Sequence, residues 1–210
     1  MQLTEQQRIR SGAAALGTVL SDAGATKIAQ LLDELERWNR AYNLTSIRVR
    51  EEMVVRHVLD SLSVGSLLHG EHIADIGTGA GFPGLPLAIA DARRKFTLVD
   101  SNQKKIRFIT HVVRELGLEN VIPLHARVES LAAERLGATT LVARAFAPLG
   151  RLLTTVRPLM APDTRVIAMK ARMEPAELSQ IPAGWQIELH NLAVPGLDEA
   201  RCAVIARLRP

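Results

Sequence analysis

The sequence is poor in cysteine and has no long apolar stretch. Cys202 is the single cysteine, so no disulfide can form within the chain. This excludes the disulfide-stapled secreted class and fits a reducing compartment. No run approaches the ~20 apolar residues that a membrane-spanning helix needs, and the first residues are too polar for a signal peptide. We therefore expect a cytoplasmic protein with no membrane partner.

Aromatic residues are also scarce, since two Trp, one Tyr and four Phe make up 3% of the 210 residues. Proteins that read single-stranded RNA stack unpaired bases on aromatic or arginine planes, and few such aromatic surfaces exist here. A net charge of +4 permits a polyanionic partner without requiring one. The length suits one α/β domain with an extension.

The most informative stretch is residues 72–84, HIADIGTGAGFPG, in which a short apolar run meets a glycine cluster. The apolar run predicts a strand, the glycines permit φ > 0 and close approach of a ligand to the backbone, and the following residues predict a helix. Unpaired N–H groups at the start of a helix favour binding of a nucleotide-like cofactor. Gly77, Gly79 and Gly81 are the predicted ligand-binding glycines.

Two acidic residues bear on which cofactor is bound. Asp100 ends the next predicted strand, where its carboxylate could accept hydrogen bonds from ribose hydroxyls. Asp75 precedes the glycines, where a carboxylate suits the ammonium of a methionine group but would repel a pyrophosphate. We therefore interpret the loop as an S-adenosylmethionine site. The glycine spacing alone also fits NAD(P), and the remaining alternative is that the glycines only make a tight turn.

The pattern along the chain predicts a Rossmann-like α/β fold. Residues 1–70 are expected to form an N-terminal helical extension, with helices at 27–42 and 51–62, and residues 71–210 the cofactor-binding domain. The predicted strands are 72–76, 96–100, 121–125, 139–144, 164–170, 186–194 and 201–208. The predicted helices of this domain are 84–91, 103–116, 149–157 and 174–180. The last two strands are joined by too few residues for a crossover, so they should be antiparallel. Such a seven-stranded, mostly parallel sheet is typical of class I methyltransferases.

Several motifs together are similar to a known family. They are residues 38–45, 57–62, 75–86, 98–101 with Lys104 and Lys105, 127–129 and 144–149. On these stretches the chain resembles the bacterial glucose-inhibited division protein B family, RsmG, which methylates N7 of one guanine in the 530-loop region of 16S ribosomal RNA. The resemblance implies that S-adenosylmethionine contacts Gly77, Phe82, Val128, Glu129 and Arg144. It also implies 16S ribosomal RNA or the small subunit as partner. We further expect no metal ion and a monomer.

The implied reaction needs no general base, because guanine N7 carries a lone pair and no proton. Arg144, after the fourth strand, is our candidate to pair with the methionine carboxylate or to donate to guanine O6. Lys170, at the same predicted edge, is a second candidate for positioning the guanine. The open alternatives are an NAD(P)-dependent oxidoreductase and a non-catalytic RNA-binding or ribosome-assembly factor on the same fold.

Other polar and aromatic groups are more ambiguous. Trp38 and Tyr42 share a helical face, which usually indicates core packing. We expect His57, Asp60 and Ser61 to brace the helical extension over the cofactor rather than to catalyse. The basic groups Lys104, Lys105 and Arg107, and the run at 93–95, are candidates for phosphate contacts or ordinary solvated charges. Cys202 is expected to be a core side chain.

Overall fold

A computed structural model describes residues 3–209, so residues 1, 2 and 210, at the ends of the two predicted domains, lie outside the described residues. All seven predicted strands are confirmed, each with ends within two residues of the prediction. They are β1 His72–Ile76, β2 Lys95–Asp100, β3 Val121–His125, β4 Thr140–Arg144, β5 Arg165–Lys170, β6 Trp185–Leu192 and β7 Arg201–Leu208.

The helices precede the sheet and alternate with its first five strands. They are α1 Glu5–Ala15, α2 Asp22–Tyr42, α3 Arg50–Met53, α4 Asp60–Leu62, α5 Gly84–Ala90, α6 Gln103–Glu115, α7 Ala133–Leu136, α8 Leu149–Val156 and α9 Pro175–Leu178. A π-helical turn, Val54–Leu59, joins α3 to α4 without a break. None of the helices within residues 3–209 is both long and apolar enough to cross a membrane.

The strands form one sheet in the order β3-β2-β1-β4-β5-β7-β6. The pairs among β1 to β5 are parallel, whereas β7 runs antiparallel to β5 and β6 runs antiparallel to β7. The antiparallel pair follows from the short 193–200 connection, as expected. This ending differs from the 3-2-1-4-5-6 order of dinucleotide-binding folds. Because β1 to β5 are parallel, their carboxyl ends meet at one edge, where open α/β sheets bind ligands.

Alternate residues of the central strands enter two separate apolar layers. Ile73 and Leu98 pack with helices α1, α2, α5 and α6, while Ala74 and Val99 pack with α8 on the other face. The helical extension therefore shares a continuous core with one face of the sheet. This packing fixes the position of the segment from Arg50 to Leu62 relative to the carboxyl edge.

Three local features differ from the sequence expectations. Helix α2 begins at Asp22 rather than at residue 27, because the Ser21 side chain accepts a hydrogen bond from the Gly24 amide and caps the helix. The predicted helix 51–62 contains the π-helical turn. The four-residue α7, which ends at the left-handed Gly137, was not predicted.

Candidate active site

The glycine loop lies at the carboxyl edge and is held in an unusual backbone conformation. Gly77, Gly79 and Gly81 have φ of 68°, 64° and 90°, a region that side chains disfavour. The Thr78 amide donates to the Val99 carbonyl at 3.0 Å, and the Gly79 amide donates to Asp100 Oδ2 at 2.9 Å. The sequence thus folds as predicted here, with β2 supplying the acceptors that hold the loop.

Asp75 holds the same loop from inside the protein. Its Oδ2 accepts hydrogen bonds from Thr78 Oγ1 at 2.6 Å and from the Gly84 amide at 2.7 Å. The second bond caps α5, which has no other side-chain cap. Oδ1 is buried and has no hydrogen-bond donor among residues 3–209, so this carboxylate can accept one further bond. Burial raises the pKa of Asp75 to about 6, against the opposing effect of its two hydrogen bonds.

A cavity of about 370 Å³ lies beside the loop, at the ends of β1, β2 and β3. Its lining residues include Gly77, Asp100, Val128, Glu129 and Phe146. Val128 and Glu129 lie in a short 3₁₀ turn just past β3. Four of the predicted cofactor residues are therefore brought together around one space. We refer to this space as the smaller cavity.

A second cavity of about 490 Å³ adjoins the first, at the ends of β4 and β5. It is rich in cationic side chains, namely Arg56, Arg144, Lys170, Arg172 and Arg201. Among the described residues, Asp60 is the single acidic one in its lining. Both predicted guanine-positioning residues thus lie here, in what we call the larger cavity. Cys202 also lines it, and burial raises the pKa of its thiol.

Arg144 connects this cavity to the helical extension. Its Nη1 donates to the Arg56 carbonyl and to Asp60 Oδ2, both at 2.9 Å. Asp60 Oδ1 accepts a further hydrogen bond from Arg201 Nε at 3.2 Å. One buried carboxylate therefore joins β4, β7 and the helical segment. Asp60 therefore braces the helical extension, and its two partners, Arg144 and Arg201, both line the larger cavity.

His57 lies in the π-helical turn, buried beside Phe82 and Thr45. Its ring stacks on Phe82, with centroids 4.6 Å apart, and Nε2 is 2.9 Å from Thr45 Oγ1. Burial, with the charge of Arg144, lowers the pKa of His57 to about 3. Phe82 is itself buried and contacts the Arg144 guanidinium, 5.7 Å from the ring centroid. Phe82 is absent from the lining of both cavities, so the structure does not bring it together with the other implied cofactor residues.

Lys170 is partnered in the structure. Its Nζ donates to Glu177 Oε2 at 2.6 Å, and the same oxygen accepts from the Leu149 amide at 2.8 Å. Burial alone would raise the pKa of Glu177, but the hydrogen bond and charge of Lys170 bring it below its usual value. Lys170 would therefore have to share or exchange this partner in order to bind a substrate.

The remaining predicted aromatic and basic groups line neither cavity. Trp38 packs against Phe108 and His111 of α6, with Trp38–His111 centroids 5.2 Å apart, which is the expected core packing. Residues 93–95 precede or begin β2 at the opposite edge of the sheet, where Arg93 and Arg94 pair with Asp91. Lys105 is 3.9 Å from Asp100 at the glycine loop.

Sequence reasoning gave no role to two residues that the structure brings to the cavities. Phe146 borders both cavities. Its place in the 144–149 motif, two residues after Arg144, is the signal that could have pointed to it. Arg201 reaches Asp60 across 141 positions of chain, and no local spacing signals such a contact.

Comparison with known proteins agrees with this arrangement. The family GidB, described as rRNA small subunit methyltransferase G, matches residues 25–204. A protein of Methylococcus capsulatus named Ribosomal RNA small subunit methyltransferase G is 45% identical over 90% of this chain and 93% of its own length. One of the same name from Marinobacter nauticus is 42% identical over 95% and 94%.

Among solved structures, a SAM dependent methyltransferase from Aquifex aeolicus superposes with a TM-score of 0.58. It shares 16% sequence identity, and the match covers 80% of this chain and 97% of that one. This similarity shows that the fold is the class I methyltransferase fold.

Proposed function

Because the chain belongs to the GidB family of rRNA small subunit methyltransferases, we propose that it methylates N7 of one guanine in the 530-loop region of 16S ribosomal RNA, with S-adenosylmethionine as methyl donor. The observation that carries the proposal is the pair of adjoining cavities at the carboxyl edge. One is bounded by the glycine loop and Asp100, and the other by a cluster of cations. Such a pair suits a nucleoside-containing cofactor and an anionic nucleic acid.

The residues of the smaller cavity fit the cofactor. Asp100 would accept hydrogen bonds from ribose hydroxyls, and the main chain at Val128 and Glu129 would meet the adenine edge. Of the three loop glycines, Gly77 borders this cavity, and Gly79 and Gly81 would act by letting the loop adopt its left-handed backbone. The charge of Asp75 beneath the loop, with its unpaired oxygen, favours the ammonium of the methionine group. When bound, S-adenosylmethionine supplies an electrophilic sulfonium methyl group.

The residues of the larger cavity would bind and orient the guanine. N7 attacks through its own lone pair, so no side chain has to remove a proton, and neutral His57 is not needed as a base. Arg144 uses Nη1 for its bonds to Arg56 and Asp60, and its Nη2 lies 3.5 Å from His57 Nδ1. Nε–H and the second Nη2 hydrogen are left for guanine O6 or for the methionine carboxylate. Lys170 is the second positioning candidate. Holding the reacting atoms in line is worth several kcal/mol, roughly 7–11 in favourable intramolecular cases.

Ligand-dependent melting tests the choice of cofactor. S-adenosylhomocysteine should raise the melting temperature of the protein, because a ligand that binds only the folded state stabilises it, and NAD should not. A rise with NAD alone would indicate an oxidoreductase instead.

Arg144 variants test the placement of the guanine. Arg144→Ala should lower methyl transfer from S-adenosylmethionine to unmodified small subunits by roughly 100-fold, as expected from loss of alignment. Arg144→Lys should recover little of this, because lysine lacks the planar fork. Arg10→Ala is the matched control, since Arg10 is exposed on α1 and pairs only with Asp22 in the structure. Near-normal turnover by a folded Arg144→Ala protein would contradict the assignment.

A further inference from the structure

Phe146 has a position unlike that of any other large aromatic side chain in the described part of the chain. It lines both the smaller and the larger cavity, a property that it shares only with its neighbour Ala145. Within residues 3–209, Phe146 is also the one Phe, Tyr or Trp that lines either cavity. The junction of the cavities, where a cofactor and a base would meet, is therefore bordered by an aromatic ring.

The backbone directs this ring across the edge of the sheet. Ala145 follows β4 with φ of 52°, a left-handed conformation that costs a non-glycine residue free energy. The turn brings the Phe146 ring against Gly77, where a Cβ on Gly77 would lie 2.5 Å from Phe146 Cδ2. The ring thus lies on the glycine loop, whose backbone borders the smaller cavity. Arg144, two residues earlier in the chain, lies in the larger cavity.

Methylation at N7 places a geometric demand on this junction. The N7 lone pair lies in the plane of the base, so the methyl group has to lie in that plane too. Hydrogen bonds from Arg144 to O6 would fix one edge of the guanine but would not by themselves fix its plane. A flat apolar surface against the base face supplies the missing constraint, as aromatic side chains do for unstacked bases.

We propose that Phe146 stacks on the target guanine and fixes the plane in which N7 faces the methyl group. This inference rests on the proposed function and adds a residue that touches the substrate. The ring is half-buried and makes no ring–ring pair with another aromatic residue within residues 3–209. Part of the ring packs against Gly77 and the apolar layer beside α8, and the part that lines both cavities is where a base would meet it.

Phe146→Leu tests the proposal because leucine keeps apolar bulk near Gly77 and removes the flat ring. In the complex with S-adenosylhomocysteine, its affinity for unmodified small subunits should fall roughly 5- to 150-fold, the range expected for loss of one stacked base. Single-turnover methyl transfer at limiting subunit concentration should fall by a similar factor. Phe146→Tyr should restore both. Because Phe146 also lines the smaller cavity, S-adenosylhomocysteine affinity is measured alongside, and the Phe146→Leu loss should be larger for the subunit than for S-adenosylhomocysteine. Tyr42→Leu is the control, since Tyr42 is an exposed aromatic residue on α2 that packs on Trp38.

The outcomes separate this inference from the proposed function. Weakened S-adenosylhomocysteine binding with unchanged subunit affinity would overturn the stacking role and make Phe146 a cover over the cofactor. No change in either affinity would overturn it as well. Failure of the wild type to transfer methyl to any subunit would overturn the proposed function and this inference with it, whereas normal wild-type transfer with unchanged subunit affinity of Phe146→Leu would overturn the stacking role alone.

Discussion

Replacing Asp60 with Asn should destabilise the protein strongly, because Asp60 is the carboxylate shared by two arginines. Its side chain is 6% exposed, and those of Arg144 and Arg201 are 20% and 19% exposed. Asparagine keeps the volume of the side chain. It removes the negative charge, however, and turns one of the two acceptor atoms into a donor that faces a guanidinium.

The size of the effect follows from the burial of the three groups. Breaking a buried ion pair typically costs 3–5 kcal/mol, since it leaves an uncompensated charge. Each arginine retains some contact with water, so we expect about 3 kcal/mol, near the lower end of that range. For a domain of this size the melting temperature should fall by about 6–12 °C. The segment that carries Asp60 should also lose one of its attachments to β4, the other being the Arg144 bond to the Arg56 carbonyl, so S-adenosylhomocysteine binding should weaken.

Thermal melting and urea unfolding measure this loss directly. Asp22→Asn is the matched control, because Asp22 pairs with Arg10 at the surface, where the two side chains are 86% and 49% exposed. An exposed pair contributes about 0–1 kcal/mol. Equal stability losses for the Asp60 and Asp22 variants would refute the account of the shared carboxylate.

Three further predictions concern the loop and its surroundings. Gly77→Ala and Gly117→Ala should each add about 1 kcal/mol of left-handed strain, and Gly77→Ala should cost more because its Cβ would also meet Phe146, whereas nothing lies within 4 Å of the Cβ position at Gly117. Only Gly77→Ala should abolish S-adenosylhomocysteine binding in calorimetry, and equal affinities would contradict this. His57→Gln should flatten the pH dependence of stability, because the pKa of His57 is lowered from 6.5 to about 3 in the folded protein and only the unfolded chain takes up this proton as pH falls. Between pH 7 and pH 5 the wild type should therefore lose up to about 2 kcal/mol more of its free energy of unfolding than the variant. Urea midpoints that fall in parallel for the two proteins would argue against it. Burial raises the pKa of Asp75 to about 6, so wild-type affinity for S-adenosylhomocysteine should fall from pH 7 to pH 5 and that of Asp75→Asn should not; a pH-independent wild type would disprove the electrostatic role.

The strands and the loop could be predicted because their signals are local. Runs such as residues 72–76 and 96–100 are short, apolar and bounded by turn residues, so each is readable within a few positions. The antiparallel end of the sheet followed from the short connection at 193–200. The positive φ of Gly77 is likewise a property of one residue and its neighbours.

The contacts that shape the larger cavity could not be predicted in this way. Asp60 meets Arg144 and Arg201, and the separation along the chain exceeds 80 positions in both cases. Such pairs depend on the order of strands and on how the helical extension packs on the sheet. The sequence placed Asp60 in a bracing cluster, but its partners became visible only with the tertiary structure.

Asp75 illustrates a second limit. Its position before the glycines suggested a direct contact with a ligand ammonium, whereas the structure shows it fully buried, bonded to Thr78 and capping α5. Position along the chain does not reveal on which side of the loop a strand-end side chain lies. Because Oδ1 has no partner among the described residues, we expect Asp75 to act on the ligand through its charge, which the pH dependence of S-adenosylhomocysteine binding tests.

The identity of the methylated product tests the central claim most directly. Small subunits lacking the modification, and their naked RNA, would be incubated with the protein and S-adenosylmethionine carrying a tritiated methyl group, and the ribosomal RNA would then be digested to nucleosides. The account predicts label in 7-methylguanosine from 16S ribosomal RNA in at least one of the two substrates. Label in a different nucleoside, or none in either substrate despite S-adenosylhomocysteine binding, would contradict it.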